Sequence, residues 1–242
     1  ITKVIIPNTV TSISQGAFMN CTNLTAIEFE TGIDIKNIPD YFCYNNTNLT
    51  TINLPNVITK IGNYAFYTTG LTEIEIPANV TQIGLYAFES SKIKNLKLSE
   101  GLANIEYCAF RYTNIINVVI PDSVKYISNT VFDNCKNLKS ITLGKGITKI
   151  SDFFLSGCNN LTEIIIKGNV TKIGYLALSS CSALTLDGIK GADGKTYNWN
   201  NIVYVGNSAF ANCTSLSGKI VVNRACEIND NATLNCPLVI TK

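Results

Sequence analysis

The sequence predicts a repeat solenoid, a right-handed superhelix of about ten coils that each take 22–25 residues. A pattern of apolar residues returns at a nearly fixed interval, and each interval holds a segment with strand periodicity followed by turn residues. Because so short a unit cannot bury its own apolar side, the coils are expected to stack and share a core. The pattern begins at Ile1, Leu24, Leu49, Leu71, Ile93, Ile115, Leu138, Leu161, Leu184 and Leu216.

The first part of each coil has the pattern L-x-x-I-x-I, as at Leu71, Ile74 and Ile76. The two isoleucines alternate with Glu73 and Glu75, a period of two that is typical of a half-buried strand. Stacked coils would pair these strands in parallel about 4.8 Å apart, so we expect one parallel β-sheet along the concave face. Proline follows the strand in several coils and ends the pairing there, because it has no N–H to donate.

The rest of each coil has two shorter motifs on the side away from that sheet. The motif V-x-x-I, as at Val80 and Ile83, predicts a short extended segment, and the glycine that often follows it predicts a turn. The motif A-F-x-x-C, as at Ala87 and Phe88, is too short for a long helix, so we expect one helical turn. The phenylalanines of successive coils are expected to stack.

One coil, residues 184–215, departs from the pattern because it contains an insert at residues 186–201. The insert holds Tyr197 and Trp199, the latter being the only tryptophan of the chain. These rings are interpreted either as contact anchors for a ligand or as side chains that pack the loop onto the body, and a lone tryptophan favours packing. Asp187 and Asp193 lack the spacing of an EF-hand loop, so no metal site is predicted there.

Nine cysteines raise the question of disulfides or a metal site. Six of them occupy one repeat position, eight residues after the isoleucine of V-x-x-I, where other coils have Asn, Thr or Ser. These residue types share small size and weak polarity, so we expect a ladder of free buried thiols. Disulfides between some of them stay open as an alternative, whereas the lack of histidine and of C-x-x-C argues against a metal. The six are Cys21, Cys135, Cys158, Cys181, Cys213 and Cys236.

Composition and charge narrow the classes of function. The net charge is +2 with acids and bases mixed, a poor match to the basic stripe of a nucleic-acid-binding protein. No run of about 18 apolar residues is present, so no membrane span is predicted within the sequence. The chain begins and ends inside a repeat, and we expect residues 1–242 to be one solenoid domain of a longer protein, monomeric and without a cofactor.

The complete unit, L-x-x-I-x-I-P-x-x-V-x-x-I-G-x-x-A-F-x-x-C, resembles the BspA-like, or Treponema pallidum-type, leucine-rich repeat over almost the whole chain. The proline is missing in some coils, after Phe29, Leu98, Leu143 and Ile166. The resemblance implies the leucine-rich-repeat fold class, α/β and mostly β, and an extracellular or cell-surface location. It further implies adhesion to a host matrix protein, an epithelial surface or a glycan, by a family without catalytic residues.

Strand residues that point away from the core are the candidate ligand-binding residues of the concave face. We expect Glu75 and Lys97 to lie side by side on neighbouring strands. The face is polar and mixed in charge, with apolar points such as Val119, and extended faces of this kind bind ligands in other solenoids. A solvated face without a ligand stays open as the alternative. The candidates are Glu28, Asn53, Glu73, Glu75, Asn95, Lys97, Asn117, Val119, Thr142 and Glu163.

These observations favour a non-catalytic interaction module that binds a protein or glycan on a host or neighbouring cell. A rigid spacer that presents another domain is the second candidate, since ten layers at about 4.8 Å give a rod of about 50 Å. A carbohydrate-active enzyme is the third, because Glu73 and Glu75 lie on one face about 6.5–7 Å apart at Cα, as in the carboxylate pairs of inverting glycosidases. An open sheet face without histidine is a poor setting for acid catalysis, so we expect no enzyme.

Overall fold

The computed structural model describes all residues 1–242 and shows a parallel β-solenoid, which confirms the predicted fold class. Each regular coil contributes a strand to a first face and a shorter strand to a second face, and turns connect them. The first-face strands are β1 Lys3–Ile6, β2 Ala26–Phe29, β4 Thr51–Ile52, β6 Glu73–Ile76, β8 Asn95–Leu98, β10 Asn117–Val119, β12 Ser140–Leu143, β14 Glu163–Ile166, β16 Ile189–Gly191, β18 Gly218–Val221 and β20 Leu238–Thr241. The second-face strands are β3 Asn37–Ile38, β5 Lys60–Ile61, β7 Gln82–Ile83, β9 Asn104–Ile105, β11 Tyr126–Ile127, β13 Lys149–Ile150, β15 Lys172–Ile173, β17 Tyr204–Val205 and β19 Glu227–Ile228.

Neighbouring coils stack in register, so equivalent inward residues lie directly over one another. On the first face Ile74 pairs with Leu96, and on the second face Ile61 pairs with Ile83. The inward side chains form a hydrophobic cluster of 65 buried residues that extends along the chain. Removing this apolar surface from water is the main stabilising contribution, because a coil without neighbours leaves both of its flat sides exposed.

The first face is not one continuous sheet, and in this respect the prediction is wrong. Its strands form three sheets, β1-β2-β4, then β6 to β16, then β18-β20. The second face is also divided, since β3 to β11 form one sheet and β13 to β19 form another. A sheet stops where the backbone hydrogen bonds between two coils are lost, although the side chains beneath continue to pack. Two of these interruptions coincide with surface grooves, described below.

The A-F-x-x-C segments contain no helix, so the predicted helical turn is also wrong. Tyr64 and Thr68 have left-handed φ angles of 55° and 52°, and pairs of residues at the same spacing do so in the other coils. A left-handed residue ends helical winding and turns the neighbouring N–H groups outward. The N–H of Phe66, for example, donates to the carbonyl of Ala87 in the next coil at 2.7 Å. The turn segments therefore form a third set of bonds between coils.

Phenylalanines stack beneath these turns, as the sequence predicts. Ring centroids of Phe66 and Phe88 lie 5.2 Å apart, those of Phe88 and Phe110 lie 5.3 Å apart, and those of Phe110 and Phe132 lie 5.5 Å apart. The rings are nearly parallel, with interplanar angles of 3–11°. Stacked rings of this kind contribute about 0.5–1.5 kcal/mol per pair beyond their buried area.

The ladder of free thiols is confirmed in the later coils. None of the nine cysteines forms a disulfide, and Cys135, Cys158, Cys181 and Cys213 are fully buried. Cys21 differs, since it is exposed in the first coil, where a coil covers only one of its sides. Cys236, in the last coil, is half-buried. The burial of a thiol at this position therefore requires coils on both sides.

The insert of residues 186–201 packs onto the solenoid. It contains two short 3₁₀ helices, Leu186–Gly188 and Trp199–Asn201. Tyr197 and Trp199 are 8% and 6% exposed, their rings meet edge to face at 5.4 Å, and the Tyr197 hydroxyl donates to the Val170 carbonyl at 3.3 Å. These contacts support the packing interpretation and remove both rings from the surfaces that a ligand can reach.

Candidate ligand-binding groove

The structure places all ten predicted contact residues on the outward side of the first face. Eight of them are exposed, whereas Thr142 and Glu163 are half-buried. Val119 is 57% exposed and is one of several exposed apolar residues on this face, with Ile5, Val221 and Val239. The alternation of strand residues therefore identified the outward side chains correctly, because each strand buries every second residue.

Ion pairs neutralise most of the charge on this face. The predicted neighbours Glu75 and Lys97 pair in register, and the Nζ of Lys97 lies 2.6 Å from Oε1 of Glu75. Exposed pairs of this kind contribute about 0–1 kcal/mol, so they order side chains more than they stabilise the fold. Glu73 is the predicted acid without such a pair. The other two pairs are Lys3 with Glu28 at 2.7 Å and Lys190 with Glu163 at 2.6 Å.

A groove of about 520 Å³ lies on this face and collects six of the ten predicted residues. We call it the strand-face groove. An adjoining depression of about 390 Å³ shares Asn53 and Glu75 with it. The predicted residues Glu28, Val119, Thr142 and Glu163 lie outside the lining. The strand-face groove is lined by Thr50, Thr51, Ile52, Asn53, Glu73, Ile74, Glu75, Lys94, Asn95, Leu96, Lys97, Ile116 and Asn117.

One end of the groove lies at the interruption between β4 and β6, and the lining continues across β6 and β8 to β10. In the neighbouring coils the backbone N–H of Thr50 donates to the Thr25 carbonyl at 3.0 Å, and that of Lys94 donates to the Thr72 carbonyl at 2.8 Å. The equivalent bond from Thr72 to Thr50 is absent. The Thr72 N–H and the Thr50 carbonyl therefore lack the bond that joins the neighbouring coils, and both residues are exposed. No sequence signal predicts the interruption, because residues 51–55 keep the normal strand alternation and proline.

Two rows of side chains cross the groove along the direction in which the coils stack. Glu73 pairs in register with Asn95, and Asn95 with Asn117, while Glu75 pairs with Lys97. Each amide both donates and accepts, and the carboxylates accept, so the rows match ligands rich in hydroxyl or peptide groups. Such polar, open surfaces bind by many modest contacts along their length.

The two acids of the groove lie in open, solvated surroundings. Glu75 is 62% exposed and its carboxylate is engaged by Lys97. Glu73 is also exposed, and neither acid lies in an apolar pocket of the kind that tunes a catalytic carboxyl group. No three His, Cys, Asp or Glu side chains come close enough to hold a metal ion.

Sequence reasoning missed a group of tyrosines on the turn segments. Tyr41 stacks on Tyr64 with centroids 5.0 Å apart, Tyr64 stacks on Tyr86 at 4.7 Å, and Tyr44 stacks on Tyr67 at 4.9 Å. The signal was tyrosine at one repeat position in three successive coils. Burial raises the pKa of Tyr86 to about 12. Because the rings cover one another, they present edges and hydroxyls, and no flat aromatic platform, to solvent.

A match to a protein-family model identifies the family of the chain. The model for the BspA type leucine rich repeat region matches six copies, which span residues 1–116, 103–190 and 193–241. The chain belongs to the BspA-type leucine-rich repeat family. This finding confirms the resemblance seen in the repeat motif, and the matched ranges meet at the insert, where the motif is least regular.

Solved structures support the same fold for this BspA-type protein. A leucine-rich repeat protein of Eubacterium ventriosum has a TM-score of 0.64 at 22% identity, and the match covers 100% of this chain and 60% of that one. A leucine rich cell surface protein of Faecalibacterium prausnitzii has a TM-score of 0.51 at 20% identity, with 98% of this chain and 80% of that one covered. The Treponema pallidum leucine-rich repeat protein also has a TM-score of 0.51, at 21% identity, with 89% and 78% covered.

Other comparisons are negative. No curated protein matches the sequence. The solenoid has no helix whose length and apolar character would let it cross a membrane. The relatives are described as repeat proteins, and their descriptions name no reaction.

Proposed function

We propose that this BspA-type solenoid is an interaction module of a cell-surface or secreted protein, which binds a protein or glycan ligand through the strand-face groove. The observation that carries the proposal is the strand-face groove, which brings together six outward polar residues predicted from the repeat and reaches the interruption between β4 and β6 at one end. A regular, fully paired face would offer a ligand side chains alone.

The charges and amides of the groove define what it would accept. Asn53, Asn95 and Asn117 offer both donors and acceptors, Glu73 is an acid without an ion pair, and Lys97 is partly neutralised by Glu75. A ligand with hydroxyl or amide groups repeated along its length, such as a glycan or an extended peptide segment, would satisfy these groups together. A host or neighbouring cell presents both kinds of ligand on its surface.

The location of the module is part of the proposal. One structural neighbour is a cell surface protein of Faecalibacterium prausnitzii, which supports an extracellular location for a protein with the same fold. Solenoids commonly use an extended, exposed face to bind other large molecules. Adhesion to a host matrix protein, an epithelial surface or a glycan is the role that this combination favours.

The proposal is tested by measuring saturable binding of the immobilised domain to matrix proteins, mucins and a panel of glycans. Glu73→Lys reverses the charge of the unpaired acid of the groove and should lower the affinity for a ligand bound there about tenfold. The matched control is Asp230→Lys, which makes the same charge change at an exposed residue without a hydrogen bond or ion pair, and it should change affinity less than about twofold.

Two outcomes would contradict the proposal. The first is that no probe binds saturably, as a rigid spacer would behave. The second is that Glu73→Lys and Asp230→Lys weaken binding equally, which would show a general charge effect in place of recognition by the groove. Thermal melts of both variants establish that they are folded before affinities are compared.

A further inference from the structure

A row of lysines without acidic partners crosses the second face of the solenoid. Lys149 of β13 pairs in register with Lys172 of β15, and in the preceding coil Lys125 lies next to Tyr126, the residue that corresponds to Lys149. All three side chains are exposed, and none takes part in any of the ion pairs of the structure. Like charges directly opposite on neighbouring strands destabilise a sheet, so the fold itself does not account for this pairing.

The contrast with the first face makes the arrangement informative. There, Lys97 and Lys190 each lie beside a glutamate on the adjacent strand and form ion pairs at 2.6 Å. On the second face the next outward residue after Lys172 is Tyr204. The first face therefore neutralises these two lysines, whereas the second face leaves lysines without acidic partners in three successive coils.

A groove accompanies the lysines. It measures about 270 Å³ and lies where the second face is interrupted, between β11 and β13. No acidic residue lines it. Its lining, called here the second-face groove, consists of Lys125, Tyr126, Ile127, Ser128, Asn129, Ile147, Thr148, Lys149 and Ser151.

The interruption leaves backbone groups free in this groove. Elsewhere on the second face the N–H of Lys125 donates to the Ala103 carbonyl at 3.0 Å, and that of Thr171 donates to the Thr148 carbonyl at 2.9 Å. The corresponding bond from Thr148 to Lys125 is absent. The hydroxyl of Ser151 replaces another missing bond, since it donates to the Ile127 carbonyl at 2.9 Å. A free N–H beside two lysines is a favourable position for an anionic oxygen.

We propose that the second-face groove binds an acidic polysaccharide. Carboxylate or sulfate groups would meet Lys125, Lys149 and Lys172, while sugar hydroxyls would meet the hydroxyl and amide groups between them. Tyr126 is 50% exposed at the edge of the groove and offers an apolar surface to a sugar ring. A chain that runs along the stacking direction passes one lysine per coil, about every 4.8 Å.

The observations favour a polysaccharide over a nucleic acid. The basic residues form one narrow row of lysines, without the arginines and the wide basic surface that phosphate backbones select. The net charge of the whole protein is only +2, so long-range attraction of a highly charged nucleic acid is weak. Hydroxyl and amide groups make up much of the remaining lining, which suits a polyhydroxylated chain. This proposal is independent of the strand-face groove.

The test is the affinity of the purified domain for defined oligosaccharides, measured by calorimetry at several salt concentrations. The probes are a heparin-derived decasaccharide, an oligogalacturonate and a neutral dextran oligosaccharide, together with a single-stranded oligonucleotide of the same charge as the decasaccharide. Saturable binding of at least one acidic oligosaccharide is expected, with affinity that falls as salt rises. The two acidic probes distinguish sulfate from carboxylate as the preferred group.

Paired variants localise the binding. The double variant Lys149→Gln with Lys172→Gln should lower the affinity for the acidic oligosaccharide about tenfold. It should also make the affinity less dependent on salt, because two charge contacts are lost. Lys92→Gln with Lys219→Gln makes the same change in net charge at exposed, unpaired lysines elsewhere and should leave affinity within about twofold. Equal losses in both double variants, equal binding of dextran, or tighter binding of the oligonucleotide would each overturn the proposal.

Discussion

At one buried position of the repeat, the earlier and later coils have different side chains of similar size. We compare the eighth residue after the isoleucine of V-x-x-I, called here the inner turn position. The second to fifth coils have Asn46, Thr69, Ser91 and Thr113 there, whereas the later coils, like the first coil with Cys21, have cysteine. All of these side chains except those at the two ends of the solenoid are buried, so the position accepts several side chains of similar small size.

The difference lies in which carbonyl each group reaches. The hydroxyls of Thr69 and Thr113 donate to carbonyls within their own coil, at 3.1 and 2.8 Å. The thiols of Cys158 and Cys181 instead reach back to carbonyls of the preceding coil, both at 3.2 Å. Asn46 makes neither contact, and both of its amide atoms are buried without a partner. The hydroxyl of Ser91 at the same position is also buried without a partner. The comparison teaches that the position accepts a small side chain with one polar group, and that the second polar atom of an amide is a liability.

The largest expected effect is the response of the thiol coils to alkaline pH. Burial raises the pKa of Cys135 and Cys213 to about 12, and it raises the pKa of Cys158 and Cys181 as well. Because the folded state holds protons that the unfolded state releases near pH 9, this stability is complete below that pH and is lost as pH rises towards 12. Each thiol should lower the free energy of unfolding by about 1.4 kcal/mol per pH unit above 9.

Urea unfolding at pH 8, 9 and 10 measures this slope. The control is a variant with threonine at all four positions, whose free energy of unfolding should fall less steeply with pH because the four thiols are gone. The tyrosines and lysines that also titrate are the same in both proteins. Equal slopes for the two proteins would contradict the prediction. The four substitutions are Cys135→Thr, Cys158→Thr, Cys181→Thr and Cys213→Thr.

A transplant between the two regions should give the next largest effect. Cys158→Asn places the unsatisfied amide of the earlier coil among the thiols, and we expect it to lower the free energy of unfolding by about 2–4 kcal/mol, from two unpaired polar atoms and overpacking. Cys158→Thr is the matched control, with an expected loss of about 1 kcal/mol, because its hydroxyl can bond within the coil. Urea midpoints that are the same for both variants would show that the position does not discriminate amide from hydroxyl.

Some of this comparison follows from the sequence, because it depends on periodicity. Cys, Thr, Ser and Asn share one place in the repeat, which predicts a small buried side chain there, and the alternation of Glu73, Ile74, Glu75 and Ile76 predicts which residues face outward. The pairing of Glu75 with Lys97 follows from the same stacking. These properties are set by the spacing of residues along one chain, and spacing is visible in the sequence.

Other features depend on bonds between coils and have no local signal. Tyr64 and Thr68 are residue types that rarely adopt left-handed backbone angles, and hydrogen bonds to the next coil stabilise them there. The interruptions after β4 and β11 arise from lost backbone bonds, although residues 51–55 and 124–127 keep the repeat pattern. Both candidate grooves reach such interruptions, so the sequence predicts which side chains face outward but not where a groove forms between them.

The smallest expected effect comes from replacing the buried asparagine at the inner turn position with threonine. Asn46→Thr removes two unpaired buried amide atoms and supplies a hydroxyl that can bond within its own coil, as Thr69 does in the next one. We expect the free energy of unfolding to rise by about 1–2 kcal/mol, since each buried unsatisfied polar group is costly. The reciprocal variant Thr69→Asn is the control and should lose a similar amount. If Asn46→Thr destabilises the protein in urea unfolding, the buried amide has a partner within the fold, and the account of the inner turn position as a site for a single polar group is wrong.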